Sequence, residues 1–123
     1  MANTFRMTNE TNVSTTIETL YTVPSSTTTI ILGIMMGNTS TGTIKGSVQL
    51  VSTTATSVNG GASNANESTY LIKDAPINNS SSLEIMAGNK IVMQVGDILK
   101  AQSDTATGLD IIISYMEITE CHI

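Results

Sequence analysis

Between Thr15 and Ile118 several segments alternate apolar and polar residues with a period of two, and no stretch carries the period of a helix. Thr15 to Val23 places Ile17, Thr19, Tyr21 and Val23 on one face, and Pro24-Ser25-Ser26 ends the run. Thr27 to Asn38 reads as a core strand. Thr28, Ile30, Leu32, Ile34 and Met36 are expected on its inward side, and Ile31, Gly33, Met35 and Gly37 on the other. Thr43 to Ser52 predicts a half-buried strand with Ile44, Val48 and Leu50 inward and Lys45, Ser47 and Gln49 in water.

The second half continues in shorter pieces. Glu67 to Asp74 predicts a strand that Ala75-Pro76 stops, and Leu83 to Met86 predicts another before the Ala87-Gly88-Asn89 turn. Ile91 to Val95 and Ile98 to Ala101 flank Gly96-Asp97. Glycine reaches positive φ freely, and aspartate bonds backbone near its own position, so this pair predicts a sharp turn. A flush hairpin would set Met93 against Lys100, so a corner between two sheets fits as well. Leu109 to Ile118 alternates, with Leu109, Ile111, Ile113 and Tyr115 on one face and Asp110, Ile112, Ser114 and Met116 on the other. The sum is an all-β fold: a single antiparallel β-sandwich of about eight short strands, of jelly-roll or immunoglobulin-like topology.

Three regions lack the alternation. Residues 1–14 are polar apart from Phe5 and Met7 and read as an N-terminal arm, either loose or docked on a neighbouring subunit through Phe5. Residues 53–66 form a long loop of Ser, Thr, Asn and Gly, of the kind that is either mobile or contact-making. Residues 120–123 form a short C-terminal tail, which leaves 15–119 as the sandwich domain.

Composition narrows the function. Charged residues are 12% of the 123, against roughly 25% in ordinary soluble proteins, and seven Met are present. Interfaces are poor in Lys and Glu and rich in Met, so this surface suits packing against neighbours. Phe5, Ile31 and Met35 are the expected contact residues. The net charge of −5, with five Lys+Arg, gives no basic stripe for nucleic acid or for an anionic membrane. Residues 1–16 hold no apolar core of a secretory leader, and the apolar run Ile30 to Met36 is too short for the ~20 residues of a membrane span.

Candidate chemistry is sparse. Cys121 is the single cysteine, so an internal disulfide is excluded, and no oxidising compartment is needed. Glu120, Cys121 and His122 lack the further rigid ligands of a metal site. With His122 the one histidine, a Ser-His or Cys-His pair is excluded over most of the chain. Asp97, Asp104 and Asp110 could in principle hold calcium weakly, but read better as turn and strand-start residues. There is no phosphate-binding glycine loop, and with no Trp, three Tyr and one Phe a glycan-binding module has no stacking platform. Asn9, Asn12, Asn38, Asn66 and Asn78 head Asn-x-Ser/Thr triplets, which chance explains in a chain of this composition. Neither a catalytic residue nor a cofactor is expected.

Several short stretches together resemble a known family. They are Leu20-Tyr21-Thr22-Val23-Pro24-Ser25-Ser26, Tyr70-Leu71-Ile72-Lys73-Asp74-Ala75-Pro76, Ser81-Ser82-Leu83, Val95-Gly96-Asp97-Ile98-Leu99-Lys100 and Ser114-Tyr115-Met116-Glu117-Ile118. In this set and order, over residues 15–119, the chain resembles small virion structural proteins of tailed bacteriophages, notably cyanobacterial phages. The resemblance implies a non-enzymatic particle component, assembled in the host cytoplasm and resident in the virion. A capsid decoration or cement protein is the leading expectation; a neck, tail or fibre-associated adaptor is the alternative. Its partners would be other virion proteins, the major capsid protein or neck and tail proteins, and further copies of itself, as a trimer for instance.

Overall fold

The computed structural model describes residues 2–53, 67–86 and 88–119. Nine strands follow in order: β1 Ala2–Glu10, β2 Glu18–Thr22, β3 Thr27–Asn38, β4 Ile44–Ser52, β5 Glu67–Ile77, β6 Ser82–Glu84, β7 Ile91–Met93, β8 Ile98–Ser103 and β9 Leu109–Thr119. One sheet has the order β1-β9-β3-β6, with β7 also paired to β3; the other has the order β2-β8-β4-β5. All pairings are antiparallel. They nest about the β4–β5 connection: β4 with β5, β3 with β6 and β7, β2 with β8, β1 with β9. A long hairpin rolled up in this way, its strands shared between two sheets, is a jelly roll. The immunoglobulin-like alternative is thereby set aside.

The core lies between the sheets. Ile31, Ile34 and Met36 of β3 and Leu109, Ile111 and Ile113 of β9 face Tyr21, Val48, Leu99 and Ala101 of the second sheet, and all are buried. Gly46 of β4 marks the closest approach. A Cβ there would sit 2.9 Å from the Met36 sulfur and 3.2 Å from a Leu109 methyl, so the absent side chain lets the sheets close.

Three expectations are corrected. First, the polar start is not a loose arm: residues 2–10 form β1, paired over its whole length with β9. The eight expected strands correspond to β2 through β9, and β1 is the ninth. Second, the strand from Glu67 does not stop at Pro76 but runs to Ile77. β5 is an edge strand, where a missing ladder donor is tolerated. Asp74 takes φ 52 beside a register shift, and its N–H donates to Ser47 Oγ at 2.9 Å. That contact buries Ser47, which alternation placed in water.

Third, the faces of β3 are exchanged partway along. The β3–β9 register runs Ile31↔Tyr115 and then Gly33↔Ser114, so Leu32 is an extra residue, a β-bulge. Thr27, Thr29 and Ile31 face inward before it, and Ile34, Met36 and Asn38 after it. Inward positions therefore change from odd to even across Leu32. The expected contact residue Ile31 is 0% exposed and part of the core, whereas Ile30, expected inside, is half-exposed.

The Gly96-Asp97 turn is a corner. β7 before it lies in the first sheet and β8 after it in the second. Gly96 has φ 86, and Asp97 ties the corner down by accepting from Thr53 N–H (3.1 Å) and Gln94 N–H (2.9 Å). Val23 closes it from the other side, donating to the Asp97 carbonyl at 3.0 Å and accepting from Gly96 N–H at 3.1 Å.

A buried polar network joins the sheets at one end. Glu117 of β9 accepts from Tyr21 Oη (2.6 Å) and from Arg6 Nε of β1 (2.7 Å). Tyr21's one hydroxyl proton goes to that carboxylate, so Thr29 Oγ1, at 2.7 Å, donates to Tyr21 in turn. Tyr115, whose ring lies 4.4 Å from that of Tyr21, bonds Thr8 of β1 at 2.8 Å. Burial, and next to it the Glu117 bond, push the Tyr21 hydroxyl well above the ordinary tyrosine pKa.

Two outcomes are expected. Gly96→Ala puts a Cβ 2.7 Å from Thr53 Oγ1 at positive φ and lowers stability by about 1–3 kcal/mol in urea unfolding, with the fold intact. Tyr21 stays protonated in the folded chain after it ionises in the unfolded one. Its contribution is therefore complete below about pH 10 and lost as pH rises beyond that, and Tyr21→Phe flattens the alkaline limb of a stability–pH curve.

Candidate assembly surface

The outer face of the first sheet gathers most of the exposed apolar side chains. The pairings place Phe5, Met116, Ile30 and Val92 in one row across β1, β9, β3 and β7. Two residues further along lie Met7, Ser114 and Gly33, and beyond them Asn9, Ile112, Met35 and Glu84. Phe5 (73% exposed), Met7, Val92, Met35 and Ile112 are all large and open to solvent. The rest of the molecule adds Tyr70 and Val95 among the described residues.

Local sequence explains each placement. Phe5 and Met7 are two apart on a strand whose even-numbered residues turn toward Glu117 and Tyr115. Ile112 and Met116 are the solvent side of an alternation whose other side is the core. Met35 follows the bulge, which leaves Met36 inside and Met35 outside. Glu84 folds its carboxylate over the bulge and accepts from Ile34 N–H at 3.3 Å. A shallow, mostly apolar depression of about 280 Å³ opens at one end of this face, between Asn9, Met35, Gly37, Asp110 and Ile112.

Of the three residues expected at a subunit contact, Phe5 and Met35 lie on this face and Ile31 lies beneath it. Ile112 was legible on the solvent side of its strand. Met7 was legible only as one of two apolar residues in a polar start, and Val92 only as part of a short apolar run. Their convergence needed the order β1-β9-β3 with β7, which no local pattern states.

A second, polar depression of about 230 Å³ is lined by Thr15, Lys45, Ser47, Asp74, Gln102, Ser103 and Asp104. Its hydroxyls are engaged in turns: Ser47 Oγ accepts from Asp74 N–H, and Ser103 Oγ donates to the Thr105 carbonyl. Its lining holds no histidine or cysteine, and none of these hydroxyls has a base bonded to it for nucleophilic activation. The three aspartates weighed as calcium ligands serve three separate backbone contacts. Asp97 holds the corner, Asp104 accepts from Lys45 N–H at 2.9 Å, and Asp110 accepts from Asn12 N–H at 3.0 Å. Among the described residues no three His, Cys, Asp or Glu side chains gather as a metal site. Glu120, Cys121 and His122 lie outside the described residues, as do residues 54–66 of the long loop.

At the end of β1, Glu10 meets Glu18. A hydrogen bond between the two carboxyl groups, and then their mutual repulsion, hold Glu10 above the usual carboxylate pKa. No helix among the described residues is long and apolar enough to cross a membrane.

No protein-family model matches the chain, and no curated protein matches it. Among solved structures it is similar to a subunit of Bacillus endospore appendages, described as a novel family of disulfide-linked pili. The identity is 16%, over 98% of this chain and 88% of that one, with a TM-score of 0.51. At that identity the likeness is one of fold.

Proposed function

We propose that the chain is a non-enzymatic structural subunit of a large protein assembly, and specifically a virion protein of a tailed phage that decorates or cements the capsid exterior. The apolar outer face of the first sheet carries this reading. Buried against a neighbour, Phe5, Met7, Met35, Val92 and Ile112 make separation of subunits costly without any chemistry. The low charge of the chain agrees, since few ions have to be desolvated at a contact. The strand-end and turn sequences that resemble those of small phage structural proteins support the virion assignment.

A second reading follows from the shared fold with an appendage subunit: the same face could serve in a neck, tail or fibre, or in another filamentous structure. Copy number separates the two. Particles purified on a density gradient and quantified by mass spectrometry should hold this chain in hundreds of copies if it covers the shell. About a dozen or fewer places it at the neck, tail or fibres. Its absence from particles overturns both virion readings.

The face itself is tested by Met35→Lys with Ile112→Lys. Both positions are exposed, so the fold and its thermal midpoint are expected to hold. Incorporation into particles is expected to fall at least about tenfold, because each pairing would now desolvate charge against an apolar surface. Unchanged incorporation removes this face from the assembly.

A further inference from the structure

The outer face is small for a stable contact. Seven residues of β1, from Asn3 to Asn9, at ~3.4 Å each, by four strands at ~4.8 Å, project to roughly 450 Å². One side of a standard interface buries about 800 Å². A second contact between subunits would add to this face, and β1 has the properties to supply it.

Unlike the long strands β3, β4, β5 and β9, β1 places no side chain in the buried core: every residue of Ala2–Glu10 is exposed or half-exposed. It is an edge strand, held by its ladder to β9 and by side-chain contacts of Arg6 to Glu117, Thr8 to Tyr115 and Glu10 to Glu18, with Thr119 Oγ1 on the Ala2 carbonyl. These contacts recognise the strand by sequence and register. Arg6 supplies the cation for a carboxylate that is otherwise buried, so the β9 edge is incomplete until some β1 fills it.

The joint is well defined. Val13 is fully buried and donates to the Leu109 carbonyl at 2.8 Å, so the chain is anchored from there on. Between Glu10 and Val13 stand only Thr11 and Asn12, both exposed, and Asn12 is held at φ 52. Asn12 is one extra residue in the run along β9, between the Glu10↔Ile111 pair and the Val13–Leu109 bond, and its N–H donates to Asp110 Oδ1 at 3.0 Å. A short, exposed joint beside a strand that adds nothing to the core favours exchange between copies.

We propose that copies of this chain link by strand exchange: β1 of one copy pairs with β9 of the next, in the register seen within a single chain. This rests on the structural-subunit reading and names how the subunits are joined. The ladder to β9 and the Arg6–Glu117 and Thr8–Tyr115 contacts are the same within and between chains, so the exchanged form changes only the joint, where Asn12 bonds Asp110. It draws Phe5 and Met7 into a face built from two chains.

The test uses the full chain with Cys121→Ser throughout. Ala2 and Thr119 are register partners, both exposed, on the side of β1 and β9 away from the apolar face. Ala2→Cys protein and Thr119→Cys protein are unfolded together, refolded at high concentration and oxidised. Exchange gives a disulfide between the two chains on a denaturing gel. Lys73→Cys on β5, mixed with Ala2→Cys, reports chance collisions and is expected to give at least about tenfold less. Linkage no greater than this control, with the Ala2→Cys/Thr119→Cys double variant closing only within its own chain, overturns exchange. Particle copy number is measured separately. A virion protein without the between-chain disulfide loses only the exchange, and an exchanging chain absent from particles loses only the virion assignment.

Discussion

The pairing of β3 with β9 is the interaction on which the sandwich depends. It is the longest ladder in the molecule, running from Thr27↔Thr119 to Asn38↔Leu109. Each other strand of the first sheet hangs on one of these two, β1 on β9 and β6 and β7 on β3. The inward side chains of the pair form one wall of the core, and Gly46 lets the opposite wall come close to Met36 and Leu109. Because the ladder joins residues roughly seventy to ninety apart in sequence, it forms only after the chain has rolled up. A fold of this kind closes late and owes its stability to non-local contacts.

The bulge in that ladder links architecture to surface. Without Leu32 as an extra residue, strict alternation would send either Ile31 or Ile34 out of the core. With it, both are buried, and the solvent side receives Ile30, Gly33 and Met35. The outer face thus owes its composition to a local defect in pairing. Glu84 completes the arrangement by covering the Ile34 N–H.

Polar burial works differently at two neighbouring sites of the sandwich. At the Gly96 corner, the Asp97 carboxylate accepts from backbone N–H groups and turns the chain between sheets. At the other site, the Glu117 carboxylate accepts from side chains of two strands, β1 and β2, and so ties an edge strand to the opposite sheet. The first fixes a bend that any copy needs. The second can be satisfied by the Arg6 of any copy, because its donor sits on a strand that brings nothing to the core.

The sequence by itself determined what local chemistry can encode. Alternation identified eight of the nine strands, the inward side of β9, and a β-sandwich. Gly96-Asp97 announced a sharp bend, because few residue pairs tolerate that backbone. Phe5 and Met35 were legible as exposed apolar residues, because large apolar side chains stood outside the expected core. Only the tertiary structure decided the rest. A polar edge strand such as β1 buries no side chain, so it leaves no alternation to read. A bulge moves a residue between faces without altering composition, so Ile30 and Ile31 are interchangeable until the ladder forms. Jelly-roll order, and with it the meeting of Phe5, Val92, Met35 and Ile112 on one face, depends on pairings between distant residues, and local propensity carries no information about those.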